Sequence, residues 1–112
     1  MNFTAGQRWT YRTRPGETAS RVLVMDVEAD NVHIRLTGVA VRLSSGQAID
    51  SFFMPIQRDV LAACVTTLEV EADPDFEGAH KAWTTEHDTR GQGFFTVELD
   101  RFLTSLEGAK SG

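Results

Sequence analysis

The chain has 112 residues, a formal net charge of −5 and an apolar fraction of 41%. A chain of this length supports one self-sufficient core, so we expect a single domain over residues 1–112. No apolar run approaches the roughly 20 residues that cross a bilayer. The single cysteine, Cys64, excludes an internal disulfide, and the N-terminus lacks the features of a signal peptide. We therefore expect a cytoplasmic protein that has no membrane partner.

The charge is unevenly distributed along the chain. Residues 1–58 hold seven arginines and five acids, whereas residues 59–112 hold four basic residues and eleven acids. Such an acidic balance keeps a small protein soluble, and it also favours a basic protein surface as a partner. Nucleic-acid-binding domains usually carry a basic face, so the net charge argues against nucleic acid.

The first half of the chain has the two-residue periodicity of β-strands. In residues 7–14, Trp9 and Tyr11 alternate with arginines, and Pro15-Gly16 then forms a turn. Four more strands are predicted at residues 21–28, 32–36, 39–43 and 48–54. Their short lengths and regular turns predict an antiparallel β-meander that curls into a small SH3-like barrel or sheet.

The second half of the chain has helical periodicity. Apolar residues from Ile56 to Leu68 fall on one face of a helix, and Pro55 suits its first turn. Two further helices are predicted over residues 76–88 and 99–106, and FFTVEL before the last one is a short strand or a helix entry. The fold class is therefore α+β, with a β-rich part and a helical part at residues 1–54 and 55–108.

The cations of the early strands are the first candidate binding residues. Trp9 and Tyr11 point away from the neighbouring arginines, so we expect both aromatic side chains in the core. In residues 32–36 the alternation places His33 and Arg35 on the outer face. If the cations share one sheet face, they form a patch for an anionic partner that comprises Arg8, Arg12, Arg14, His33 and Arg35.

An incomplete calcium-loop pattern occurs before the second predicted helix. Asp73, Asp75 and Glu77 have the spacing of the first ligands of an EF-hand loop. Thr84 stands where the closing glutamate is required, so calcium would lack a necessary ligand. The sequence therefore predicts a solvated acidic connection here.

Catalytic and zinc-binding patterns are also missing. His80 and His87 are separated by two helical turns, which is too far for both to hold one zinc ion. Cys64 lies in an apolar stripe, where a thiol behaves as a small hydrophobic residue. We therefore predict no metal, no cofactor and no catalytic residue, which favours a non-enzymatic protein without excluding an enzyme.

Four segments together span most of the chain: GQRWTYRTRPGE, VHIRLTGV, the Met-Pro step into VLAACVTTL, and DFEGAHKAW. In these segments the chain resembles a family of small bacterial cytoplasmic proteins of unknown function. In that family a His precedes the Met-Pro step and a Ser caps the helix, whereas this chain has Phe53 and Gln57. The resemblance implies a bacterial cytoplasmic protein with no established ligand.

Three functions remain open from the sequence. The leading hypothesis is a non-catalytic protein-interaction module, accessory or immunity-like, that uses the acidic second half or an exposed sheet edge. The second is weak nucleic-acid binding by a small barrel through Arg8, Arg12, Arg14 and Arg35. The third is a small-ligand carrier or enzyme with a pocket between sheet and helices, lined by His80, Trp83 and Phe94.

Overall fold

The computed structural model describes residues 2–43, 45–86 and 95–108. Its elements are, in chain order, β1 (Arg8–Tyr11), β2 (Arg21–Val27), β3 (Asn31–Arg42), β4 (Ala48–Gln57), α1 (Arg58–Cys64), β5 (Val65–Val70), α2 (Phe76–Glu86) and α3 (Leu99–Gly108). The strands form one antiparallel sheet in the order β4-β3-β2-β1-β5. The fold is therefore α+β, as predicted, and the sheet is open, with β4 and β5 at its edges. None of the described helices is long and apolar enough to cross a membrane.

The main core lies on the face of the sheet that α1 and α3 cover. All five strands contribute apolar side chains to it, and fully buried members include Val24, Ile34, Leu61 and Leu103. Trp9 and Tyr11 of β1 belong to this core, with exposed fractions of 8% and 5%. The prediction that both aromatic side chains point inward is confirmed.

A second, smaller core lies on the opposite face beneath α2. Leu23 and Met25 of β2 pack there against Ala79 and Trp83 of α2. Trp83 is fully buried. Strand β2 is therefore buried on both faces, which explains why its sequence is apolar at successive positions.

The predicted helix over residues 56–68 is only half correct. Helix α1 ends at Cys64, and Val65 adopts extended backbone with φ −71° and ψ 150°. Residues 65–70 then form β5, which pairs with β1. The β-branched run of Val65, Thr66 and Thr67 favours a strand, and pairing with β1 adds the backbone hydrogen bonds. The helical part of the chain therefore contributes one strand to the sheet.

Pro55 lies in β4 and not in the first turn of a helix. It pairs with His33 of β3 on one side, and an edge strand tolerates a residue without an N–H group. On the other side its carbonyl accepts a hydrogen bond from the N–H of Phe95 at 3.0 Å, and the N–H of Gln57 donates to the Phe95 carbonyl at 2.8 Å. The segment before α3 therefore covers this part of the β4 edge.

The two strands predicted on either side of Gly38 form the single strand β3. Gly38 has a φ of +68°, and the register with β4 shifts between Thr37 and Val41. A Cβ atom at Gly38 would lie 3.0 Å from the carbonyl oxygen of Ala19. Glycine is therefore needed here for both the left-handed backbone and the close approach of the neighbouring chain.

Candidate functional site

The residues of the predicted basic patch do not form one surface. Arg8 and Arg35 lie on the α2 face of the sheet, because each pairs in register with Leu23. Arg14 instead borders α3 and forms an ion pair with Glu17 at 2.6 Å. Both side chains of that pair are largely buried, so it belongs to the scaffold of the turn.

Carboxylates bind most of the cations on the β1 side of the sheet. Arg8 binds Glu69 at 2.9 Å and Asp73 at 3.1 Å, and Arg21 also binds Glu69 at 3.0 Å. The hydrogen bond from Arg21 is the main reason why the pKa of Glu69 lies below its ordinary value, and the charge of Arg8 adds to this effect. Arg12, which is more exposed, lies 3.6 Å from Glu98.

The acidic connection before α2 has a structural role. One oxygen of Asp73 accepts the N–H of Asp75 at 2.8 Å, and the other binds Arg8. The side chain of Asp73 is only 4% exposed. Within the described ranges, no three His, Cys, Asp or Glu side chains are close enough to hold a metal ion.

The prediction that His33 lies on an outer face is wrong. His33 is fully buried, with its ring centroid 5.3 Å from that of Trp83, and its Nε2 lies 2.5 Å from a carboxylate oxygen of Glu28. Strand alternation correctly places His33 on the same face as Arg35. It does not reveal that α2 covers the His33 end of that face.

Two of the three residues predicted to line a pocket, His80 and Trp83, pack against each other. Trp83 is fully buried in the second core. His80 is half-buried, with ring centroids 5.1 Å from Phe76 and 5.4 Å from Trp83. Phe94 lies outside the described residues. The aromatic side chains of α2 therefore attach this helix to the sheet.

A cleft opens between α2 and the sheet beside these aromatic residues. Its volume is about 440 Å³, toward the lower end of the roughly 300–1,000 Å³ of small-molecule sites. Strands β3 and β4 form the floor and α2 forms the wall; the lining includes Arg35, Ser51, Phe53, Gly78, Ala79 and Ala82. Sequence reasoning placed a pocket between the sheet and the helices, but it selected the large aromatic residues and missed the small residues of α2.

Arg35 is the charged group of this cleft. Its guanidinium carbon lies 5.7 Å from the centroid of the Phe53 ring, which is the geometry of a cation–π interaction. Among the described residues, the Arg35 guanidinium has no hydrogen bond or ion pair, and neither does the Ser51 side chain. The two polar side chains of the lining therefore keep their hydrogen-bonding capacity for another molecule.

Cys64 is a poor candidate for a nucleophile. It is buried in the main core, and burial raises the pKa of its thiol above the ordinary value, although a backbone hydrogen bond from Leu99 opposes this shift. The reactive thiolate is therefore disfavoured.

Comparison with known proteins identifies no relative of this chain. The sequence matches no family model and no curated protein, and no solved structure matches it. The chemistry of the cleft is therefore the basis on which a function can be inferred.

Proposed function

We propose that this protein binds a small anionic molecule in the cleft between α2 and the sheet. The observation that carries the proposal is the environment of Arg35, which has a cleft beside it and no carboxylate bound to it among the described residues. Four other arginines of the described chain each bind a carboxylate, namely Arg8, Arg12, Arg14 and Arg21. A partly buried guanidinium presents several N–H donors in a fixed fork, and an entering anion would accept from them.

Binding, rather than catalysis, fits the composition of the cleft. Its described lining holds Arg35 and Ser51 as polar side chains and no histidine, thiol or carboxylate. A serine without a nearby base is a weak nucleophile. The proposal is therefore a carrier or a sensor of a small molecule.

Gly78 provides the test of this proposal. A Cβ atom at this helical position would meet nothing within 4 Å, so there is room for a side chain to begin here, and Gly78→Leu should narrow the cleft. Gly78→Ala is the matched control, because it should stabilise α2 by about 1 kcal/mol and leave most of the cleft open. In a thermal-shift screen of small acids, compounds that stabilise the wild type and Gly78→Ala should not stabilise Gly78→Leu. A screen without hits, or hits that bind Gly78→Leu equally well, would contradict the proposal.

A protein-interaction module is the second candidate, and the edge strand β5 supports it. Within the described residues β5 pairs with β1 alone, and its Thr66, Thr67 and Glu69 are exposed. An exposed edge can add a strand from a partner, and the acidic second half of the chain favours a basic partner.

A lysine on the edge strand tests this second candidate. Thr67→Lys should weaken strand addition by placing a charge at the edge, and high salt should weaken the attraction of a basic partner. The expected result is a protein captured from the native cell by the wild type at low salt and lost with Thr67→Lys. Recovery of nothing above background would remove the basis of this candidate.

Two finer predictions are kept as proposals. An SH3-like barrel would require β4 and β5 to pair, and the described residues of these strands do not pair with each other. Nucleic-acid binding through Arg8, Arg12, Arg14 and Arg35 is less favoured than ligand binding, since three of these four side chains already bind carboxylates.

A further inference from the structure

We propose that the ligand of the cleft is a flat ring that carries a single carboxylate, an inference that rests on the proposed function. The cleft combines one guanidinium, one hydroxyl and one aromatic ring on its floor with a wall of small side chains. Each of these features restricts the class of molecule that it can hold.

The number of cations favours a single negative charge. Arg35 can bind a carboxylate through two parallel N–H donors, which matches one charge with one charge. A phosphate monoester carries about −1.5 to −2 charges at neutral pH, so part of its charge would remain uncompensated. Two other arginines of this sheet face, Arg8 and Arg21, are bound to Glu69, and neither they nor Arg42 line the cleft to supply the missing charge.

The walls of the cleft favour a flat apolar body. Phe53 lies under the guanidinium of Arg35, and an aromatic ring gains from packing beside such a pair. On the other side α2 presents Gly78, Ala79 and Ala82, whose small side chains leave a smooth wall. A planar ring fills the space between these two surfaces better than a branched or bulky group.

The size of the cleft accommodates a single ring. A volume of about 440 Å³ lies within the roughly 300–1,000 Å³ of small-molecule sites. A ring with a short acidic side chain fits this space.

Four probes separate the ring, the charge and the type of anion. Phenylacetate has the ring and the carboxylate, phenylacetamide lacks the charge, phenyl phosphate changes the anion, and hexanoate lacks the ring. We would titrate each into the full chain and follow its backbone amides by NMR. Phenylacetate should bind at least about tenfold tighter than phenylacetamide, as the loss of a charge-assisted hydrogen bond implies, and also tighter than phenyl phosphate and hexanoate. It should shift the amides of Arg35, Gly78 and Ala82.

Variants of Arg35 and Phe53 test the two contacts separately. Arg35→Gln should weaken the binding of phenylacetate by about tenfold or more and leave the binding of phenylacetamide unchanged. Arg35→Lys should bind phenylacetate with an affinity between those of the wild type and Arg35→Gln, because lysine keeps the charge and lacks the two parallel N–H donors. Phe53→Leu should reduce the preference for phenylacetate over hexanoate. Arg42→Gln is the matched control, because Arg42 lies on the same strand and does not line the cleft.

The outcomes distinguish this inference from the proposed function. If phenylacetamide, phenyl phosphate or hexanoate binds the same amides as tightly as phenylacetate, the ligand class is wrong and the cleft remains a binding site. The same conclusion follows if all four probes fail while other acids bind the wild type and not Gly78→Leu. If no acid of any kind shifts the amides of the cleft, both the ligand class and the proposed function are wrong.

Discussion

Arg8 and Arg35 lie on the same face of the sheet, with Leu23 of β2 between them. Glu69 and Asp73 bind the guanidinium of Arg8, whereas Arg35 lies over the Phe53 ring at the cleft. The two side chains are equivalent in the sequence pattern, since both occupy outer positions of alternating strands. Their different roles follow from acids that are about sixty residues away from Arg8 along the chain.

Tyr11 makes a residue-scale prediction about alkaline pH. Its hydroxyl lies 2.7 Å from that of Ser20 in the main core, and burial raises the pKa of Tyr11 above its ordinary value of 10.0, although the bond to Ser20 opposes this shift. The folded protein therefore favours the neutral phenol. Its contribution to stability is fully present below about pH 10 and is lost as the pH rises through the raised pKa.

Urea denaturation between pH 7 and pH 11 measures this effect. We expect the free energy of unfolding of Tyr11→Phe to decline less steeply with pH than that of the wild type. At pH 7 it should be lower than that of the wild type by about 1–3 kcal/mol, because the buried hydroxyl of Ser20 loses its partner. Ser20→Ala is the control, since it keeps the phenol and should keep the steep decline. Parallel curves for Tyr11→Phe and the wild type would contradict the prediction.

At the scale of elements, α2 is held at its N-terminal end and at its centre. Trp83 anchors the centre by packing on Met25 and Leu23. At the N-terminal end, the N–H of Asp73 donates to the carbonyl of Gly6 at 2.8 Å, and the Asp73 side chain connects Arg8 to the backbone of Asp75. The cleft depends on both anchors, because they set the separation between α2 and the sheet.

Asp73→Ala should therefore destabilise the protein by about 1–3 kcal/mol, because it removes a buried carboxylate and leaves the N–H of Asp75 and the guanidinium of Arg8 without this acceptor. Glu71→Ala is a matched control two residues away, since the Glu71 side chain is exposed and has no hydrogen bond or ion pair among the described residues. It should change the free energy of unfolding by less than about 0.5 kcal/mol. Chemical denaturation of both variants checks this, and equal losses would show that the Asp73 side chain does not anchor α2.

For the whole molecule, the sheet separates two cores that share no side chain. Leu103 of α3 belongs to the main core and Trp83 of α2 to the second core. Side chains without common partners usually make additive contributions to stability. The two faces of the sheet should therefore respond to substitution independently.

A double-substitution cycle with Leu103→Val and Trp83→Phe tests this independence. Each single variant should lower the free energy of unfolding by about 1 kcal/mol or more, because each removes buried atoms. The double variant should lose the sum of the two within about 0.5 kcal/mol. A larger deviation in urea-derived free energies would mean that the sheet transmits strain between the cores.

The sequence by itself determined the local features of this protein. Alternation placed Trp9 and Tyr11 inward, and the apolar run of residues 21–28 indicated a central strand. The helical periodicity of residues 76–88 indicated the helix that the structure describes as α2. These features depend on neighbouring residues, whose side-chain directions are set by the backbone period. For residues 65–68 the helical pattern predicted the wrong element, because a short apolar pattern also fits a strand.

Only the tertiary structure decided which distant segments meet. Residues 65–70 form a strand because they pair with β1, and His33 is buried because Trp83 packs against it. Glu69 and Asp73 bind Arg8, whereas Arg35 lies beside a cleft. Such contacts join residues that are dozens of positions apart, and their geometry depends on how the sheet and helices pack rather than on any local pattern. The candidate site therefore could not be identified from the spacing of its residues along the chain.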